Sequence, residues 1–160
     1  MRDTIAAIAT GMGNSGIGII RISGDASIAI ANKIFVPKNK NKTIDKMTSY
    51  TAAYGTITYN NEIYDEVITL VMHAPNTYTT EDIVEIDCHG GITVMKRIFD
   101  LIISLGARPA EPGEFTKRAF LNGRIDMSEA ESVMDLIHAK NDLAVKSSIS
   151  QLRGGLQAVI

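Results

Sequence analysis

In the stretch IVEIDCH, ionisable residues fall at every second position: Glu85, Asp87 and His89. A β-strand has a side-chain period of two, so these three share one face while Val84, Ile86 and Cys88 share the other. Same-side neighbours on a strand stand ~6.5 to 7 Å apart, which suits acid/base work by paired carboxylates as well as recognition of a ligand. The same alternation also describes a one-sided sheet whose polar face meets water. Arg21 interrupts the apolar run GIGIIRISG. A guanidinium there is costly unless it meets a carboxylate or a ligand, and both outcomes stay open. Two further arginines, Arg118 and Arg124, flank AFLNG. Gly90 and Gly91 follow His89 where a helix begins; their N–H groups could receive an anion, although glycines also serve a sharp strand-to-helix turn. His73, His89 and His138 lack the spacing of metal ligands, and Cys88 has no second thiol, so no zinc site is expected. Cys88 reads as a small buried apolar residue rather than a nucleophile.

Gly11, Gly13 and Gly16 have the G-x-G-x-x-G spacing of a dinucleotide cradle. That fingerprint needs a helix after the glycines, whereas IGIIRIS is β-branched and strand-like. No Gly-Lys-Ser/Thr occurs either, so a P-loop is excluded. The glycines fit better as a tight connection between two strands, or as a place where backbone approaches a ligand or a second subunit.

The chain has 160 residues, 45% of them hydrophobic, enough for one full domain and the beginning of another. With 16 Lys plus Arg against 18 Asp plus Glu, no global field recruits nucleic acid or an anionic membrane. The single cysteine excludes an internal disulfide and fits a reducing compartment. No apolar run approaches the ~18 residues of a membrane span, and MRDTIAAIATG carries an Asp where a signal peptide is apolar. A cytoplasmic location is the expectation.

The positioning elements follow from periodicity. TIAAIAT and IGIIRIS are expected strands. GDASIAIANKIF is an expected short helix capped by Ser23 or Asp25, with Ile28, Ala31, Ile34 and Phe35 on its apolar side. The lysine-rich VPKNKNKTIDKM is expected to be a solvated loop, with a basic docking patch as the sharper alternative. YTAAYGTITY and EIYDEVITLVMH should form a hairpin about Asn60 and Asn61. GGITVMKRIFDLIISLG carries Met95, Ile98, Phe99, Ile102 and Leu105 at helical spacing, with Gly106 at the C-terminal end. RPAEPGE is expected to be a connector and FTKRAFLN a helix stopped by Gly123. Ser128 and Glu131 suggest a capping box for a long helix from about Glu129 to Leu152. The apolar tail GGLQAVI after a diglycine suggests a fragment of a longer helical region.

Taken together, DTIAAIAT, GIGIIRISG, AAYGTI, PNTYTTEDIVEIDCHGG and ARPAEPGEFTKRAFLNGRIDMSEAESVMDLI resemble, in order and spacing, the N-terminal part of the MnmE (TrmE) family of bacterial tRNA modification GTPases. The pairing of EDIVEIDCHGG with PGEFTKRAFLNGRIDM is the specific element. The resemblance implies an α+β (α/β) tetrahydrofolate-binding and dimerisation domain over residues 1–119, similar to the folate domain of the glycine-cleavage aminomethyltransferase. Residues 120–160 would then begin an all-α domain into which the family inserts its GTPase domain. It further implies a homodimer and a reduced folate, 5-formyltetrahydrofolate or 5,10-methylenetetrahydrofolate, at the dimer interface. The GTPase domain would use GTP with magnesium and potassium. With the FAD-containing partner MnmG, the family adds an aminomethyl-type group to C5 of the wobble uridine of certain tRNAs.

The family's folate-contacting positions match Arg21, Glu85 and Arg124. A pterin presents a 2-amino group beside a ring N–H, a pair of parallel donors that a carboxylate accepts in bidentate fashion. This suits Glu85, with Arg21 and Arg124 left for the ligand's carbonyl and its glutamate-tail carboxylates. Two departures are visible: many relatives have Lys at the Arg124 position, and TGMGNSGIG stands where they often have Thr-Pro-Pro. No GTPase motif lies in this chain, so the 160 residues alone are not expected to be catalytic. The alternatives are a self-standing folate-dependent aminomethyltransferase-like protein and a dimerisation scaffold without a small molecule.

Overall fold

The computed structural model describes residues 3–10, 16–140 and 142–143. The chain divides into two compact units, 1–111 and 112–160. In the first, seven strands form one sheet: β1 (Ile5–Ile8), β2 (Gly18–Ser23), β3 (Phe35–Pro37), β4 (Thr51–Tyr59), β5 (Glu62–Met72), β6 (Ile83–Cys88) and β7 (Arg108–Pro109). Their order across the sheet is β3-β4-β5-β6-β2-β1-β7. All neighbours are antiparallel except β1 and β7. Helices α1 (Ser27–Ile34) and α2 (Gly91–Ser104) bury Ile30, Ala31 and Ile34, and Met95, Ile98 and Ile102, in one core with Ile20, Ile22, Val67, Val71, Val84 and Ile86. Since both helices join the core made by one side of the strands, the other side of the sheet is left for chemistry.

The β4–β5 hairpin turns at Asn60 and Asn61, whose φ angles of 50° and 62° fit the left-handed conformation that asparagine tolerates. Helix α2 forms as expected, and Gly106 (φ 120°) follows it, donating its N–H to the Ile103 carbonyl. Gly18 stands where the Met95 sulfur would lie 2.1 Å from any added Cβ. That glycine's function is close packing of α2 on β2; Gly11 and Gly13 lie outside the described residues.

In the first unit four expectations need correction. Neither Ser23 nor Asp25 caps α1: its N-cap is Ala26, without a side-chain cap. The Ser23 hydroxyl instead meets Thr79 Oγ1 (2.7 Å) and Glu81 Oε1 (2.8 Å), while Thr4 Oγ1 accepts the Ala26 N–H at 2.9 Å. The apolar stripe of α1 turns accordingly, with Ile30 buried and Ile28 only half-buried. VPKNKNKTIDKM is not wholly a solvated loop: Phe35–Pro37 is the edge strand β3, and Ile44 is fully buried. RPAEPGE is not only a connector, because Arg108 and Pro109 pair in parallel with Ile5 and Ala6.

In the second unit, α3 (Glu114–Leu121) ends before Gly123 as expected. A helix α4 covers 127–140. Its cap is Asp126 rather than Ser128: Asp126 Oδ1 accepts the Glu129 N–H at 2.7 Å. The continuation expected as far as Leu152 lies mostly outside the described residues, as does GGLQAVI.

Candidate functional site

Register decides what faces what on the side of the sheet away from the helices. Arg21 pairs with Glu85 across β2 and β6, Ala7 with Arg21 across β1 and β2, and Leu70 with Glu85 across β5 and β6. Ala52 continues the row on β4. Residues paired in register point to the same side, so one row reads Ala52, Leu70, Glu85, Arg21, Ala7. A second row holds Tyr54, Ile68, Asp87 and Ile19. The result is an ion pair set in an apolar surround on an open sheet face.

The pair itself is asymmetric. Arg21 Nε donates to Glu85 Oε1 at 2.9 Å, and Nη2 reaches the same oxygen at 2.9 Å. Among the described residues no donor is recorded on Oε2. The two side chains retain 32% and 18% exposure, so the pair is accessible rather than sealed into the core. Of the two outcomes left open for Arg21, the carboxylate partner is present, and it leaves half of that carboxylate available.

Asp87 lies one alternation further along β6, half-buried. Burial holds its carboxyl above the usual aspartate range; the Glu85 charge adds to this and His89 opposes it. Cys88, on the opposite face, is 2% exposed, and burial, with the charges of Asp65 and Asp87, pushes its thiol up to about 12. It therefore stays a protonated, buried apolar residue. The helix start after His89 already holds an anion from the chain itself: Asp65 Oδ2 accepts the His89 N–H at 2.6 Å and the Gly90 N–H at 2.9 Å. That internal carboxylate takes the place considered for a bound anion. No local pattern pointed to it, because Asp65 reaches this turn only through the β5–β6 pairing.

His89 Nδ1 lies 3.1 Å from the Glu66 carbonyl, and His73 Nε2 lies 2.8 Å from the Met47 carbonyl. No group of three or more His, Cys, Asp or Glu suited to a metal ion is found among the described residues. Arg118 is buried at 3% exposure and contacts Glu114 at 3.7 Å one helical turn away. Arg124, by contrast, is exposed in the turn after α3, with its N–H on the Ala119 carbonyl at 2.8 Å. Arg21 and Glu85 are thus brought together in the first unit, while Arg124 belongs to the second.

Comparison with known proteins bears on what such a face is for. Residues 4–124 match the family described as GTP-binding protein TrmE N-terminus. The chain belongs to the MnmE (TrmE) family. It is 58% identical over 154 residues to the tRNA modification GTPase MnmE of Lachnoclostridium phytofermentans, covering 96% of this chain and 34% of that protein. The MnmE of Streptococcus thermophilus is 56% identical over 158 residues, covering 99% of this chain and 34% of the relative. That of Thermoanaerobacter sp. is 57% identical over 154 residues, covering 95% and 33%. The chain spans about a third of the length of these MnmE relatives. Among the described residues no helix is long and apolar enough to cross a membrane.

Proposed function

We propose that this chain is the folate-binding and dimerising part of a tRNA modification GTPase. The observation that carries the reading is the Glu85 carboxylate, oriented through Oε1 by Arg21 and without a recorded donor on Oε2, on an open sheet face beside Leu70, Ala7 and Ile19. A flat heterocycle with an amino group next to a ring N–H complements that arrangement: aliphatic side chains receive its face and the carboxylate its donor edge. Glu85 is assigned the 2-amino and ring N–H pair of the pterin. Arg21 holds the carboxylate and meets the ligand's carbonyl, and Arg124 meets the carboxylates of the glutamate tail. When bound, 5-formyltetrahydrofolate or 5,10-methylenetetrahydrofolate supplies the one-carbon unit.

In the whole protein this part works as a homodimer in the cytoplasm, with a GTPase domain that uses GTP, magnesium and potassium. With the FAD-containing partner MnmG, it directs an aminomethyl-type substituent to C5 of the wobble uridine of certain tRNAs. The relatives' shared name, tRNA modification GTPase, supports this placement.

Thermal unfolding during titration with 5-formyltetrahydrofolate tests the reading. A ligand that binds only the folded state at 100 times its dissociation constant adds about 2.7 kcal/mol of stability. A rising midpoint supports the folate site, and a midpoint indifferent to saturating folate leaves only the scaffold alternative.

A further inference from the structure

Residues 36–47 carry Lys38, Lys40, Lys42 and Lys46 against a single acidic residue, Asp45, in a chain of formal net charge −2. Positive charge is concentrated at one edge of an otherwise slightly acidic sequence. All four lysines are exposed, and among the described residues no carboxylate lies within ion-pair distance of their ammonium groups. The backbone beneath them is nevertheless held in place. Strand β3 pairs with β4, Lys38 donates its N–H to the Tyr54 carbonyl at 3.0 Å, and the Lys42 N–H meets the Asn39 carbonyl at 2.9 Å.

Lys38, Asn39 and Lys42 join Ala52, Ala53 and Tyr54 around an open hollow of about 350 Å3. Asn39 Oδ1 already accepts the Asn41 N–H, which leaves its amide NH2 to donate outward. Tyr54 is 44% exposed, and the Lys38 ammonium stands 5.7 Å from its ring centroid. That is near the limit of a cation–π contact, so the lysine is readily drawn to a stronger anion. Unpaired ammonium groups, an outward amide donor and an exposed ring around one hollow match a phosphodiester chain with a base to stack. An acidic polypeptide would use the lysines but has no base for Tyr54.

We propose that this edge is a contact surface for RNA, with Lys38, Lys40 and Lys42 on phosphates and Tyr54 under a base. It lies on the same sheet side as the candidate site: Ala52 pairs with Leu70 and Leu70 with Glu85, two strand spacings or ~10 Å away. RNA held there runs beside Glu85 rather than behind it. The proposal rests on the tRNA-modifying role given above.

The test is binding of bulk tRNA to the 160-residue chain by fluorescence anisotropy across a salt series. A Lys38→Gln/Lys40→Gln/Lys42→Gln variant is expected to bind about tenfold more weakly or worse at low salt, with the slope of log affinity against log salt reduced by about two to three. Tyr54→Leu is expected to lose about tenfold with the slope unchanged. A triple variant that binds like the parent, a parent chain that binds no tRNA, or a Tyr54→Leu chain with full affinity overturns the surface as described. Equal displacement of tRNA by polyglutamate of matched charge assigns the edge to acidic polypeptide instead and overturns it too. The same triple variant is expected to keep its response to 5-formyltetrahydrofolate, which separates failure here from failure of the folate reading.

Discussion

Arg21 and Glu85 face each other in direct register on neighbouring antiparallel strands, and two guanidinium nitrogens meet the same carboxylate oxygen at 2.9 Å each. A pair with this much exposure contributes only about 0 to 1 kcal/mol to folding. Its importance is therefore orientation rather than stability, and this makes folding and binding separable by mutation.

Glu85→Gln is expected to weaken 5-formyltetrahydrofolate binding by about 1.5 to 3 kcal/mol, the size of a lost charge-assisted hydrogen bond, while folding stability changes by less than about 1 kcal/mol. Isothermal calorimetry gives the first quantity and urea denaturation the second. Equal affinity in the variant rejects the assigned contact.

Asp87 gives a pH-dependent expectation whose sign follows from its raised carboxyl pKa. A raised folded value means that the neutral form suits the folded state, so this contribution to stability is full below the unfolded value and declines as pH rises through the folded one. Asp87→Asn should thus raise the urea midpoint at pH 7, with the advantage shrinking as the pH falls through the raised carboxyl value and gone below about 4. A variant less stable than the parent at pH 7 contradicts this.

Much of the scaffold that positions these groups was legible in the sequence. The alternation in IVEIDCH, the Asn60-Asn61 turn and the helical spacing of Met95, Ile98 and Ile102 are local signals, and each element formed where it was expected. What escaped was decided at long range. Ser23 is a plausible helix cap by type, but Thr79 and Glu81, more than fifty residues away, engage its hydroxyl. Strand β7 is two residues long and exists only because β1 offers it an edge. At α4 the ambiguity was local, with Asp126 and Ser128 both able to cap and the aspartate prevailing. Arg21 was suspect from its apolar surroundings, yet only the register between β2 and β6 identifies Glu85 as its partner.

Asp65 offers a prediction that sequence reading did not. Its carboxylate accepts two backbone N–H groups where β6 ends and α2 begins. Asp65→Ala should cost about 1 to 2 kcal/mol of stability, the range for loss of a helix cap. Chemical denaturation monitored by circular dichroism measures it, and a change within ±0.3 kcal/mol, well below that range, would show the contact to be dispensable.

Cys88 should resist alkylation. With its thiol pushed up to about 12 and its side chain buried, it has little thiolate at pH 8, and iodoacetamide should modify it only on unfolding. The same shift predicts that stability declines as pH rises from about 9, where the unfolded thiol ionises, towards 12. Native-state labelling as fast as that in urea would contradict the buried placement.

The central claim is met most directly by a crystal structure of this chain with 5-formyltetrahydrofolate. The account predicts the pterin's 2-amino group and ring N–H on the Glu85 carboxylate, with Arg21 still holding Oε1 and the ring lying over the Leu70 side of the sheet. A pterin bound elsewhere, with the Arg21–Glu85 pair untouched, would contradict it.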